Sequence, residues 1–349
     1  MATSSDSSRV VGGAWSSLRS LPQRRSDDGG LINTTFVVGD PPVAIVQQVN
    51  RLFPPKVHED IEAVTAHLAG HGLATPRLLR TDAGALCHVD DAGEVWRAMT
   101  FLPGVTHHKL TSPVLAWEGA ALVARFHSAV DDLSWEYRNV REGAHDTARH
   151  MERLSASRRP KTEMPGADQH LHDASCRLAD DIAAAWSTWE GRLDLPDRHC
   201  HGDLKISNLR FSPDGRGICL LDLDTLARLP LDVELGDAWR SWCNPVGEDA
   251  PETTFDVEIF RAAVAGYCSV VTLSPEEREG LAGGAERIAL ELSSRFCRDV
   301  FENDYFGWDA TRYPTRAAHN LRRAQGQFQL AASARRARGE IERALRSPG

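Results

Sequence analysis

Between His199 and Thr225 the chain gathers carboxylates, a lysine and an amide at spacings that chemistry can use. The run His199-Cys200-His201-Gly202-Asp203-Leu204-Lys205-Ile206-Ser207-Asn208 is followed, after a turn and a short apolar strand, by Leu221-Asp222-Leu223-Asp224-Thr225. Moving a phosphoryl group needs a carboxylate that orients the accepting hydroxyl and a cation near the transferred group. It also needs oxygen ligands that hold magnesium against the nucleotide phosphates. Asp203, Lys205, Asn208 and Asp222 supply these: a carboxylate, a cation two residues on, an amide oxygen at the fifth residue, and a second carboxylate beyond the strand. Such a set arises by chance about once in 10⁵ positions.

Other uses of the same residues explain less. His199, Cys200 and His201 alternate along an extended segment with no third ligand close in sequence, so a histidine that packs and hydrogen-bonds is expected in place of a metal cluster. Asp222-Leu223-Asp224-Thr225 is similar to the opening of haloacid-dehalogenase phosphatases, but that motif needs its threonine one residue later and lies near the start of its domain. A merely solvated carboxylate at Asp203 leaves Lys205, Asn208 and Asp222 unexplained.

The elements that must position these residues read as follows. Residues 1–28 are rich in Ser, Arg and Asp, so a loose or partly helical lead-in is expected. Ile32 to Val38 and Val43 to Val49 flank Gly39-Asp40-Pro41-Pro42, which predicts a hairpin. Val57, Ile61, Val64 and Leu68 recur every three or four residues and predict a helix ending near Gly70. Ala85 to Val89 and Val95 to Leu102, separated by Asp90-Asp91-Ala92-Gly93, predict a second hairpin. Beyond Pro103-Gly104 the pattern is mainly helical. Helices are predicted at Pro113 to Val130, about Ala174 to Trp189, Glu234 to Trp242, Phe255 to Val271, from Ser274 onward, and near Thr315 to Leu345. Arg216 to Leu221 predicts a strand after the turn Ser212-Pro213-Asp214-Gly215. The polar stretch from Ser155 to Asp168 is expected to be a mobile connector. The fold class is therefore α+β and bilobal: a small sheet lobe over residues 1–102, and a larger helical lobe over 103–349.

Composition removes several classes of function. Lys and Arg number 40 against 49 Asp and Glu, a net charge of −9, so nucleic acid and anionic membranes find no basic surplus to bind. With 349 residues, 42% of them hydrophobic, the chain can bury a core. The longest apolar run, Ala262 to Leu273, falls short of the ~20 residues a membrane span needs, and MATSSDSSRV has no apolar signal core. Cytoplasmic location is expected. The seven cysteines are scattered without a C-x-x-C pair, which points to reduced thiols in or near the core.

HGDLKISN followed by LLDLDT resembles the aminoglycoside phosphotransferase (choline kinase-like) family within the protein-kinase-like fold, which shares the H-x-D-x-x-x-x-N spacing. The pieces GGLINTTFVV, IVQQVN, HEDIEAVTAHL, LDLDTLARLPLDVELGDAWRS, RFCRDVFENDYFGW and HNLRRAQGQFQL are most similar to its N-acetylhexosamine 1-kinase branch, over about Gly30 to Leu330. That branch usually has other residues at the positions of Gly202 and Leu204.

The resemblance implies a small-molecule kinase that uses ATP and Mg2+. Asp203 would be the catalytic base, Lys205 a γ-phosphate contact, and Asn208 and Asp222 the magnesium ligands; Asp224 either assists the metal or supports the loop. The turn Gly30-Leu31-Ile32-Asn33-Thr34-Thr35 would cover the phosphates, bringing Asn33 and Thr34 to the nucleotide. Met99 to Leu102, with Met99 and Phe101, would form the hinge that meets adenine. Where protein kinases carry a strand lysine this chain has Gln47 or Gln48, with Glu59 or Glu62 as the candidate helix glutamate. Asp237 would buttress the catalytic loop by accepting backbone N–H bonds. Arg295, Arg298 and Tyr305 are candidates for the acceptor wall, against a plain reading as a helix face with core aromatics.

The expected acceptor is a small polar metabolite, through the anomeric hydroxyl of a hexose or N-acetylhexosamine. Arginines mixed among the acids of residues 255–349 argue against a polycationic aminoglycoside, the alternative acceptor. A nucleotide-binding pseudokinase is the alternative from another class, and intact Asp203, Asn208 and Asp222 speak against it. No D-F-G or A-P-E signature supports a protein kinase.

Overall fold

The computed structural model describes residues 10–26, 32–163, 169–250 and 252–348. Segments rich in Val, Ile, Phe and Thr form the first sheet: β1 (Gln23–Arg25), β2 (Thr34–Val38), β3 (Ala44–Val49), β4 (Leu78–Leu79), β5 (His88–Val89) and β6 (Val95–Thr100), with helix α1 (Val57–Gly70) inserted after β3. The strands are antiparallel in the order β1-β2-β3-β6-β4, and β5 also pairs with β6. Alternation sorts the side chains by face. Phe36, Val38, Ala44, Val46, Trp96 and Ala98 share one face and pack against Val10, Val11, Trp15 and Leu18. The lead-in is thus partly helical, as one of its two expected states, but over its described residues it is packed and not loose; Trp15 Nε1 donates to Leu79 O at 2.8 Å. Gln47 and Arg97, opposite each other in the β3–β6 register, occupy the other face.

The larger lobe holds β7 (Val105–Thr106), α2 (Pro113–Ala129), α3 (Thr147–Ser157), α4 (Gln169–Ser187), β8 (Asp197–Cys200), β9 (Leu209–Phe211), β10 (Gly217–Leu220), β11 (Ala227–Pro230), α5 (Leu231–Trp242), α6 (Val257–Cys268), α7 (Pro275–Glu302), α8 (Arg316–Arg336) and α9 (Arg338–Arg346). Two small antiparallel ribbons, β10-β9-β7 and β11-β8, frame residues 201–208. Leu204, Ile206 and Leu209 are buried in the main core, each worth about 1.5–3 kcal/mol of burial. Among the described residues no helix is long and apolar enough to cross a membrane.

Helix α7 begins where sequence expects it, with Ser274 and Glu277 closing a capping box and Pro275 in the first turn. It crosses α5 at unusually close range: a β-carbon on Gly236 would stand 2.7 Å from Gly284 O, and one on Gly284 2.6 Å from Asp232 O.

Two expectations need correction. Residues 155–157 are not a connector but the last turn of α3, whose N-cap Asp146 accepts from Arg149 N at 3.0 Å. The rest of the expected connector contains a 3-10 turn, and 164–168 lie outside the described residues. The single helix expected near 315–345 is two, broken at Ala337.

Candidate active site

The catalytic-loop residues converge as their spacing predicts. Lys205 Nζ donates to Asp203 Oδ2 at 2.8 Å, and Asn208 Nδ2 donates to the same oxygen at 3.0 Å and to Asp203 O at 2.8 Å. This turns the Asn208 amide so that, among the described residues, its Oδ1 is left without a hydrogen bond. Asp222 adopts a left-handed backbone, φ 60° and ψ 57°, which aspartate tolerates better than most residues and which tends to occur where a site demands it. Among the described residues its carboxylate has no hydrogen-bond donor. Asn208 and Asp222 therefore offer two unpartnered hard oxygen donors, the set a magnesium-sized cation prefers.

The charges of these groups act on one another. Burial would raise Asp203, but the Lys205 ammonium outweighs it and holds this carboxyl below its ordinary range. Burial pushes Asp222 upward, and the neighbouring Asp224 adds to the push. Burial opposes the charge on Lys205, yet Asp203 and Asp222 keep its pKa above the usual value. A divalent cation at Asp222 would relieve the crowding of negative charge.

Helix α5 fixes the loop beneath these groups. Glu234 accepts from His201 N at 2.7 Å through Oε1 and from Gly202 N at 2.9 Å through Oε2. The buttress expected at Asp237 is thus Glu234, one turn earlier; Asp237 instead takes Arg240 at 2.8 Å and keeps its Oδ2 unpartnered. Trp242 Nε1 donates to Leu204 O at 2.8 Å. His201 Nε2 donates to Leu221 O at 2.7 Å and its Nδ1 accepts from Asp203 N at 3.3 Å, so this histidine is a hydrogen-bonded strut. Gly202 has φ +78°, and a β-carbon there would be 2.4 Å from Thr225 O.

The cation missing from β3 stands on β6. Arg97, 1% exposed, donates Nε to Gln47 Oε1 at 2.9 Å and grips both oxygens of Asp224 in a bidentate pair, Nη2 reaching Oδ2 at 2.9 Å. Asn33 Nδ2 donates to the same Oδ2 at 2.8 Å, while Asn33 Oδ1 accepts from Asn50 N at 2.8 Å. Asp224 is thereby occupied as a support of the loop, and burial notwithstanding Arg97 keeps it ionised. Glu62 pairs with Arg80 at 2.9 Å and Glu59 lies 4.0 Å from Arg138, so neither reaches Gln47.

The remaining nucleotide-side candidates are placed around this pair. Thr34 opposes Gln48 at the start of β2, and Gly30 and Leu31 lie outside the described residues. Met99 is paired on both sides, with Ile45 and Leu78; Phe101 N donates to Val43 O at 3.1 Å, and the Arg210 guanidinium lies 5.7 Å from the Phe101 ring.

His58, beside Arg97, gives the fold a pH dependence. Its Nδ1 is 2.8 Å from Pro55 O, its Nε2 has no partner among the described residues, and burial, then the Arg97 charge, lower its pKa from 6.5 to about 4. Between those values the unfolded chain binds a proton that the folded chain refuses, so stability falls as pH falls from 6.5 to 4, by roughly 3 kcal/mol in all. Urea midpoints measured across this range are expected to flatten in His58→Gln; an unchanged pH slope would assign the effect elsewhere.

Asp60 of α1 accepts from Trp135 Nε1 at 2.9 Å and from Arg138 N and Asn139 N, each at 2.8 Å. That holds the loop carrying Arg141, whose charge interacts with Asp203, Arg295 and Tyr305. Arg295 lies 6.0 Å from the Tyr305 ring centroid and 5.7 Å from that of Phe306. Arg298 is paired instead with Glu302 at 2.9 Å on its own helix. Arg97 and Arg141 are not anticipated from sequence, whereas Glu234 is, as the start of the Glu234-Leu235-Gly236-Asp237 pattern of the buttressing helix, though not as its contact residue. Arg97 leaves a trace there, as a lone charge inside the apolar strand Val95-Trp96-Arg97-Ala98-Met99.

A small antiparallel sheet lobe, a helical lobe and a loop bearing Asp203 and Asn208 define a protein-kinase-like fold. The model of the phosphotransferase enzyme family (APH) matches residues 24–268, and the chain belongs to that family. It is similar to a homoserine kinase of Gluconacetobacter diazotrophicus, 32% identical over 229 residues, 64% of this chain and 65% of that protein; the chain thus matches just under two thirds of its relative. In fold it resembles a microcompartment-associated aminopropanol kinase, with TM-score 0.63 at 16% identity over 97% of this chain and 99% of that one. It also resembles the amicoumacin kinase hAmiN, solved with AMP-PNP, Ca2+ and Ami, with TM-score 0.56 at 12% identity over 91% and 88%.

Proposed function

We propose that the chain transfers the γ-phosphoryl group of ATP to a hydroxyl of a small polar metabolite, with Mg2+ held by Asn208 and Asp222. The observation that carries this reading is the hydrogen-bonded cluster of Asp203, Lys205 and Asn208 beside the donor-free carboxylate of Asp222. The acceptor oxygen attacks the γ-phosphorus, the bond to ADP breaks, and the hydroxyl proton passes to Asp203. Lys205 neutralises charge on the transferred group. Asn33, Thr34 and Gln47 line the phosphate side, and Met99 and Phe101 the adenine side.

For the acceptor, the ring pair Tyr305 and Phe306, 4.8 Å apart and edge to face, supports a sugar, through the anomeric hydroxyl of a hexose or N-acetylhexosamine. A second reading, the side-chain hydroxyl of an amino acid, is favoured by the 32% identity to a homoserine kinase. A polycationic antibiotic would meet Arg141 and Arg295 as like charges. An ATP-consumption screen over hexoses, N-acetylhexosamines, hydroxy amino acids and aminoglycosides, with product NMR to locate the phosphate, tests the assignment. Transfer to a sugar or hydroxy amino acid is expected. Turnover of kanamycin-type acceptors alone would replace this acceptor class with the antibiotic one.

A further inference from the structure

The acceptor side of Asp203 carries a positive charge that the protein leaves unpaired. Arg141 rests on the backbone just before the proposed base: a β-carbon on Gly202 would lie 3.4 Å from Arg141 Nη2. Asp60 places the loop that delivers it, through the N–H groups of Arg138 and Asn139. Among the described residues Arg141 has no carboxylate or carbonyl partner. Neighbouring guanidiniums contrast with it: Arg97 has Asp224, Arg240 has Asp237 and Glu248, and Arg287 has Asp232 at 2.6 Å.

Arg295 approaches from α7 and brings a second positive charge. The carboxylate beside it, Glu291, is 3.9 Å away and already bound by Thr147 Oγ1 at 2.7 Å and His145 Nδ1 at 3.1 Å. The charges of Arg141 and Arg295 disfavour each other, and an anion bound beside them would relieve the repulsion. Arg141 is exposed, although protein surrounds it closely enough for desolvation to be the main influence on its pKa, in the downward direction. Its planar fork of donors matches a carboxylate or phosphate oxygen pair.

We infer that Arg141, backed by Arg295, is an oxyanion subsite, and that the acceptor carries a carboxylate or a phosphate ester held there while its hydroxyl lies at Asp203. This rests on the kinase reading above and narrows its acceptor class. Sugar acids, sugar phosphates and hydroxy amino acids fit; uncharged sugars fit less well.

The test compares matched acceptors in steady-state kinetics: L-homoserine with its carboxamide, glucuronate with glucose, glucose 6-phosphate with glucose, and any acceptor from the broader screen with its charge-altered counterpart. The anionic member of a productive pair is expected to show kcat/KM higher by about 10- to 100-fold, mostly through KM. The carboxylate and phosphate arms separate the two sources of the oxyanion. Arg141→Met should erase that preference while Mg–AMP-PNP affinity is retained, and Arg141→Lys should restore part of it. Equal or better use of the neutral members, insensitive to Arg141→Met, overturns the subsite and leaves the kinase reading standing. A broad screen with no phosphorylated acceptor overturns the kinase reading, and the subsite with it.

Discussion

Asp203→Asn is expected to lower kcat by about 10²- to 10⁴-fold, the range that a positioned general base contributes. Mg–AMP-PNP affinity should stay close to that of the unaltered protein, because the proposed role of Asp203 is toward the acceptor and the asparagine oxygen can still accept from Lys205 and Asn208. Asp222→Ala should do the reverse in titration calorimetry. It removes an oxygen ligand from a cation that bridges phosphates, so magnesium-dependent nucleotide binding weakens first and turnover follows. The pair of variants separates proton transfer from metal holding. Near-normal kcat in Asp203→Asn would rule out its role as base, and unchanged Mg–nucleotide affinity in Asp222→Ala would rule out the proposed metal site.

Arg97→Met should be the most destabilising single change in the cleft. Both members of the Arg97–Asp224 pair are 1% exposed, so removing the guanidinium strands a buried carboxylate, at a cost of about 3–5 kcal/mol. Arg97→Lys should fall between, since one ammonium cannot span both Asp224 oxygens and Gln47 Oε1 together. Replacing the pair with Arg97→Met and Asp224→Leu should recover part of the loss, because an apolar pair leaves no buried charge. Urea denaturation measures all three; a loss below about 1 kcal/mol in Arg97→Met would show that Asp224 finds another partner.

The legible part of this site was the part written in one stretch of chain. Asp203, Lys205 and Asn208 lie within six residues, so their spacing alone brought them together, and the apolar strand before Asp222 carried the fourth member in. Arg97 was hidden because strand register, not proximity in sequence, sets it against Gln47 fifty residues away. The cation expected on β3 stands on the neighbouring strand of the same sheet. Glu234 and Asp237 share the helix that supports the loop. Which one reaches His201 N and Gly202 N depends on how α5 is rotated, and composition does not encode that. Helix α3 escaped notice since its buried stripe is Thr147, His150, Leu154 and Ser157, helical in period but mostly polar in kind. The partly helical lead-in is as expected, but its packing is not legible for a related reason. Val10, Val11, Trp15 and Leu18 become a core only when a sheet is there to receive them.

The crossing of α5 over α7 at Gly236 and Gly284 acts as a gauge block. One helix holds the catalytic loop through Glu234, the other carries Glu291 and Arg295, and peptide plane meets peptide plane between them with no layer of side chains to thicken or thin. The spacing between the loop at 201–208 and Arg295 is therefore set largely by backbone. Under the proposed function, changes of side chain would alter what the site attracts more readily than they alter that spacing. A shift toward longer or shorter acceptors would have to come through the loops at 131–146 and 303–315, which bring in Arg141 and Tyr305. Under the proposed function, acceptor charge would be set by side chains such as Arg141 and acceptor length by the loops that carry them.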